Sequence, residues 1–351
     1  MEGVAGAKRS GAPEENGTPE ENGAGAPLRS ATSHPATSHP RANRLSLGRF
    51  SSATGEQIVV RCRSDRSVTL HCHGGEAAVA RILDGLVRQG CRAVAWRDWA
   101  RDTHEDPIAA AARIALAEAR TGRTAAILLD QYQGALRRAL DAIEQALTGN
   151  EIAAAKQQIE TLLARADLGL HLCSPWRVVL AGRTNVGKSS LINALVGYDR
   201  AIVHHTTGTT RDVVTVRTAV DGWPIELSDT AGWNQSADPL ERAGVELAQK
   251  RLGEADLAIL VFDAAQPWTE ADQALLHSAA SPLVVHNKCD LPPARGERVA
   301  GLAVSALTGE GIGELVHGIS NRLVPEPPPP GRAVPFTVEQ AEYLEKSSKS
   351  A

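Results

Sequence analysis

At Arg177 an apolar run, Arg177–Ala181, gives way to Gly182-Arg-Thr-Asn-Val-Gly187-Lys188-Ser189 and then directly to a helical pattern. The spacing fits GxxxxGK[ST], and a strand before it with a helix after it is the setting this motif needs. Glycine lets the backbone close on itself there, and the following helix must pack back on the strand it left. From this joint onward short apolar strands alternate with helices, the pattern of a mostly parallel, doubly wound α/β sheet. The expected strands are Arg177–Ala181, Val213–Ala219, Pro224–Ser228, Leu257–Phe262, Pro282–His286 and Val299–Val304. A last helix aligns Ile312, Leu315, Val316, Ile319 and Leu323 on one stripe.

The other segments divide by composition. Residues 1–45 are low complexity, with PEENG at 13–17 and 19–23 and ATSHP repeated over 31–40. Such sequence offers too little apolar surface to offset the entropy of ordering, so a disordered tail is expected and His34 and His39 are not read as metal ligands. Residues 46–105 read as a small N-terminal α/β unit, with strands Gln57–Val60, Ser67–Cys72 and Cys91–Ala95 and a helix Glu76–Gln89. His71, Cys72 and His73 sit on a strand running into the Gly74-Gly75 turn, where alternating side chains diverge, so a strand is preferred there over a metal site. Residues 106–172 read as helical, with Leu136, Leu140, Ile143 and Leu147 on one face and Ile152, Ile159, Leu162 and Leu163 continuing after a break at Thr148-Gly149-Asn150. The 173–325 domain therefore follows a helical segment, and 326–351 is expected to be a stiff Pro327–Pro330 linker with a short helix, Val338–Glu345.

Five scattered cysteines without a CxxC pair imply reduced thiols and a cytoplasmic protein. A formal charge of -4 argues against a strongly basic nucleic-acid surface. No run approaches the roughly 20 apolar residues of a membrane span, and no signal peptide is evident, so no membrane partner is expected.

Further along the chain come pieces that give the glycine-rich loop a chemistry. Gly182, Gly187, Asn185, Val186 and Ser190 would form a phosphate cradle; Lys188 would span two phosphates, and Ser189 would offer an oxygen to Mg²⁺. Asp229-Thr-Ala-Gly232 ends the third of these strands; Asp229 can reach Mg²⁺ through water, and the Gly232 N–H can report on a terminal phosphate. Gly208-Thr209-Thr210 precedes the second strand and would place Thr210 on the same Mg²⁺. Asn287-Lys288-Cys289-Asp290 follows the fifth strand. The Asp290 carboxylate can accept both hydrogens from the N1 and N2 edge of guanine, whereas adenine would leave it unpaired. Asn287 and the Lys288 stem would support the base, and Ser305-Ala306 would bring a backbone N–H near O6. In this order and spacing the pieces read as a site for GTP and GDP. Many such sites orient the attacking water with Gln after DxxG; here the position is Trp233, which can neither orient water nor take its proton.

The runs GRTNVGKSSLINAL, AIVHHTTGTTRD and DTAGWNQSADPLERAGVE resemble the G domain of the tRNA-modification GTPases, the MnmE/TrmE family. VTLHCHGG at 68–75 is similar to that family's folate-binding N-terminal domain, and QYQGALRRALDAIEQAL to its helical domain. The resemblance covers about residues 45–325. It implies that Asn185 helps hold a potassium ion, with backbone carbonyls at His204 and Thr206 as further ligands, so that a cation offsets charge developing on the phosphates. It also places Glu241, twelve residues beyond Asp229, as the water-positioning group. Without the resemblance, Glu241 is a charged residue in the first turn of a helix. Catalysis is thus expected from Glu241, Lys188 and Asn185. The family further implies a homodimer or GTP-dependent pairing of G domains, a flavoprotein partner, tRNA bearing a wobble uridine, and a tetrahydrofolate derivative. The chain departs from the family in having no Cys after Cys289 and is expected to lack the C-terminal helices that in the family return to the helical domain after the G domain; a shortened, divergent member is expected. A GTP-dependent binding module, for instance at the ribosome, with little turnover and no tRNA chemistry, is the alternative expectation.

Overall fold

The computed structural model describes residues 45–50, 55–64, 67–103, 106–198, 215–229 and 252–350. Residues 1–44 of the expected 1–45 tail lie outside these residues, and Leu45 already belongs to a strand. The chain forms two compact units, one reaching to residue 105 and one from Asp106 onward.

The first unit is a three-stranded antiparallel sheet, β1 (Leu45–Arg49), β2 (Gln57–Ser64) and β3 (Ser67–His71), in that order, followed by α1 (Glu76–Arg88) and α2 (Trp96–Thr103). Its buried apolar groups include Ile58 and Cys62 on β2 and Ile82 on α1. Period-2 alternation explains this, since Ile58 and Cys62 share one face of their strand. The expected third strand at Cys91–Ala95 does not form: the third strand is β1, and 91–95 carries only an isolated bridge at Arg92. His71 ends β3, and among the described residues no group of three or more His, Cys, Asp or Glu is placed to hold a metal.

The second unit begins with five helices, α3 (Pro107–Glu118), α4 (Gly122–Tyr132), α5 (Ala135–Thr148), α6 (Ile152–Leu163) and α7 (Ala166–Leu170). Asp106 caps α3 by accepting from the Ile108 and Ala109 N–H groups, with Pro107 in the first turn. A six-stranded sheet follows in the order β5-β6-β4-β7-β8-β9, formed by β4 (Trp176–Ala181), β5 (Thr215–Val220), β6 (Trp223–Asp229), β7 (Leu257–Asp263), β8 (Leu283–Asn287) and β9 (Leu302–Ala303). Every pairing is parallel except β5 with β6, the hairpin at the edge. Packed with the sheet are α8 (Lys188–Tyr198), α9 (Glu270–Leu276) and α10 (Ile312–Leu323). β7 reads LAILVFD and is buried along nearly its whole length, as a strand covered on both faces must be. The expected 299–304 strand shrinks to Leu302–Ala303. At Gly301 an added Cβ would crowd Val284 and the His286 ring, so the chain approaches β8 too closely there for an ordinary side chain.

The C-terminal segment departs from expectation. Helix α11 runs from Val338 to Ser350, longer than foreseen, and returns onto α6. Val334, Phe336 and Leu344 enter the same apolar core as Leu128, Leu136 and Ile159 of the helical segment. The approach is pinned by polar contacts. Gln131, fully buried, donates to Arg332 O at 3.0 Å and accepts from the Val334 N–H at 3.1 Å, while Asp130 accepts from the Gly331 N–H at 2.7 Å. At Gly169 a Cβ would collide with the Pro335 carbonyl oxygen. A helix thus does return to the helical segment. No helix among the described residues is long and apolar enough to cross a membrane.

Candidate functional site

In a parallel sheet the carboxyl ends of the strands converge on one edge, where loops carrying polar groups meet. Here β4, β6, β7 and β8 deliver to that edge, in turn, the 182–187 loop, Asp229, Asp263 and Asn287-Lys288. The loop has the shape its sequence demands. Gly187 has φ +94°, and Asn185 has φ 63° in the left-handed region. At Gly182 a Cβ would collide with the Val261 carbonyl, and at Gly187 with the Asn287 carboxamide, so both positions require glycine.

Asn287, 2% exposed, ties two loops together. Its Nδ2 donates to Val186 O at 2.8 Å, and its Oδ1 accepts from the Ala306 N–H at 3.1 Å. Ser305, fully buried, donates from Oγ to Asp290 Oδ1 at 2.6 Å and accepts from the Thr308 N–H. Asp290 is exposed, with its second oxygen available to a ligand. Lys288 Nζ donates to Asn185 O at 2.8 Å and to Asp263 Oδ2 at 2.7 Å. The side chains at 287, 288, 290 and 305 are therefore each held by a hydrogen bond to another part of the protein.

The phosphate side is organised differently. Lys188 is 7% exposed, and its ammonium donates to Gly182 O and Arg183 O, both at 3.1 Å. Burial pulls its pKa below the usual lysine value, against the opposing pull of Asp229. Ser189 Oγ donates to Asp229 Oδ2 at 2.8 Å. Asp229 Oδ1 is buried, lies 3.8 Å from Lys188 Nζ, and has no hydrogen-bond partner among the described residues. A buried carboxylate oxygen without a partner costs free energy, and a hydroxyl beside it completes a hard-oxygen pair. That donor chemistry fits Mg²⁺.

The described residues thus bring together Gly182, Asn185, Val186, Gly187, Lys188, Ser189, Asp229, Asn287, Lys288, Asp290, Ser305 and Ala306. Ser190, the third residue of α8, is exposed. His204, Thr206, Thr209, Thr210, Gly232, Trp233 and Glu241 lie outside the described residues. Asp263 was missed by sequence reasoning; its signal was faint, an acidic residue ending an otherwise apolar strand.

A family model described as "50S ribosome-binding GTPase" matches residues 177–288. The tRNA modification GTPase MnmE of Synechococcus sp. (strain JA-3-3Ab) is 35% identical over 336 residues, spanning 84% of this chain and 73% of that protein. The protein of the same name from Chloroflexus aurantiacus is 37% identical over 295 residues, 73% of this chain and 65% of that one. Among solved structures, Aquifex aeolicus Era bound to GDP.AlF4- is 30% identical over 44% of this chain and 58% of that one, with a TM-score of 0.34, too low to bear on function. With relatives of this identity and span and a GTPase family model over 177–288, the chain belongs to the tRNA modification GTPase MnmE family and is a GTP-binding, GTP-hydrolysing switch.

Proposed function

We propose that this switch hydrolyses GTP with Mg²⁺ and a monovalent cation at the 182–190 loop, and that its cycle serves wobble-uridine modification of tRNA. The observation that carries the reading is the contrast within the site: a prewired base loop beside a phosphate side holding an unpartnered Asp229 oxygen. The base is selected by the Asp290 carboxylate, held at one oxygen by Ser305 and free at the other to take the guanine donor edge. Lys188 stabilises charge on the β- and γ-phosphates, and the backbone N–H groups from Gly182 to Ser190 cradle them. Ser189, Asp229 and Thr210 would hold Mg²⁺, which when bound neutralises phosphate charge. Asn185, exposed on the loop, offers a neutral carboxamide oxygen suited to K⁺, with the His204 and Thr206 carbonyls as further ligands. Glu241 orients the attacking water, the role Trp233 cannot fill, and Gly232 and Thr209 flank the γ-phosphate.

The tRNA step is supported by the relatives' names and by the reach of the match beyond the G domain to 84% of the chain. On this reading the working unit is a dimer that pairs G domains on GTP, acts with a flavoprotein partner in the cytoplasm, and uses a folate one-carbon unit at the 46–105 domain. The domain division is that domain, a helical segment over 106–172, the G domain over 173–325 and a linker-helix over 326–351. A second reading, a GTP-dependent binding module at the ribosome, is favoured by Trp233 and by the family model's description.

GTP turnover in potassium against sodium buffer, with Glu241→Ala and Asn185→Ala alongside, tests the hydrolysis scheme. Faster turnover in potassium, lost in Asn185→Ala, together with slow turnover in Glu241→Ala in either salt, is expected. Equal rates in both salts, untouched by either change, would sink it. Normal wobble-uridine modification in cells lacking this chain would contradict the tRNA assignment.

A further inference from the structure

Asp263 is the last residue of β7, and the parallel register sets it beside Asn287, at the start of the base-selecting loop. Its side chain is 10% exposed and makes two separate contacts. One oxygen accepts from the Ala265 N–H at 2.8 Å, fixing the turn that follows β7. The other meets Lys288 Nζ at 2.7 Å. Lys288 itself sits at φ 66°, a strained backbone for a residue with a Cβ, and extends its ammonium across to Asn185 O. The Lys288 cation is thus held between an acid on β7 and a carbonyl of the phosphate-binding loop. A lysine ammonium is a point charge on a flexible four-carbon stem, so a single carbonyl does little to hold it. A second carboxylate-linked tie reaches the same loop from α9, where Arg183 lies 3.7 Å from Asp272.

From this chain of contacts we infer that Asp263 is a positioning residue for nucleotide binding, acting through Lys288 to lock the base loop and the phosphate loop in register. The inference rests on the reading that 182–190 and 287–290 hold a guanine nucleotide. Its physical content is that the charge of Asp263, not its turn-forming oxygen, sets how tightly the nucleotide is retained.

The two roles separate by substitution in the full chain. Asp263→Asn keeps an oxygen for the Ala265 N–H but removes the charge that faces Lys288. A fluorescent GDP carrying the N-methylanthraniloyl group is the probe, read for affinity and dissociation rate in the wild type, Asp263→Asn, Lys288→Met and the double variant. Asp263→Asn is expected to bind about tenfold more weakly, mainly through faster dissociation, as for loss of one partner of a half-buried pair. In the Lys288→Met background the same change is expected to have less than a threefold effect, because the group it acts through is gone. Asp263→Glu is expected to restore part of the affinity. Unchanged affinity in Asp263→Asn, or an equal loss with and without Lys288, overturns the inference, as does an Asp263→Asn chain that fails to fold, which would make the residue structural. A wild-type protein that does not prefer this probe to its adenine counterpart would overturn the guanine reading itself, a separate failure.

Discussion

The two halves of the nucleotide site are built on opposite plans. On the base side each polar group has a protein partner: Asn287 spans Val186 and Ala306, Ser305 holds Asp290, and Lys288 lies between Asn185 and Asp263. On the phosphate side Lys188 rests on two carbonyls, and Asp229 keeps a buried oxygen that faces Lys188 at 3.8 Å but has no hydrogen-bond partner among the described residues. The first arrangement is preorganised, so ordering costs little when the base arrives. On the proposed reading the second leaves a buried carboxylate oxygen that ligand charge and metal would satisfy. On the same reading, recognition belongs to the hydrogen-bonded half and state dependence to the half that meets the γ-phosphate.

Asp290→Asn is the sharpest way to break the rigid half. Asparagine presents one acceptor and one donor where guanine offers two donors, so GTP affinity should fall about 10³-fold, with xanthosine nucleotides gaining, by competition binding. On the other half, Asp229→Asn should lower kcat/KM for GTP about 10²-fold and raise the Mg²⁺ needed. It should move the stability of the nucleotide-free protein by less than about 1 kcal/mol, because a costly buried charge disappears along with its distant attraction to Lys188. Asn287→Ala should do the reverse. It strands the Val186 carbonyl and the Ala306 N–H and should cost about 2 kcal/mol of stability without ligand, read from urea unfolding.

The smallest effect is one of pH. Burial holds the Lys188 pKa below its ordinary value of 10.5, so between the two values the unfolded chain binds more protons than the folded one. Nucleotide-free stability attributable to Lys188 therefore rises with pH across that window. Lys188→Met should abolish that rise in urea midpoints compared at neutral and alkaline pH.

Much of this contrast was legible in the residues themselves. Glycine spacing, an apolar strand before it and the order of DTAG and NKCD fix a sheet edge and its loops, because each depends on local geometry and period. Strand β1 was not legible: every residue of LSLGR is exposed, so burial left no pattern to read. Cys91–Ala95 has strand-like side chains but does not pair as a strand with β1–β3. The return of α11 was hidden because its anchors, Gln131 and Asp130, lie about two hundred positions away and look like ordinary polar helix residues. Asp263 escaped for the same reason: its partner is 25 positions distant, brought near only by parallel register.

On the proposed reading, the base loop selects guanine independently of the phosphate side. Titrating the full chain with GDP and ADP, first with Mg²⁺ and then with EDTA, tests it directly. Both affinities should fall without the metal while the preference for GDP over ADP stays within about threefold of its value, since the base loop is wired independently of Asp229. A preference that collapses when Mg²⁺ is removed would show that the two halves are organised together.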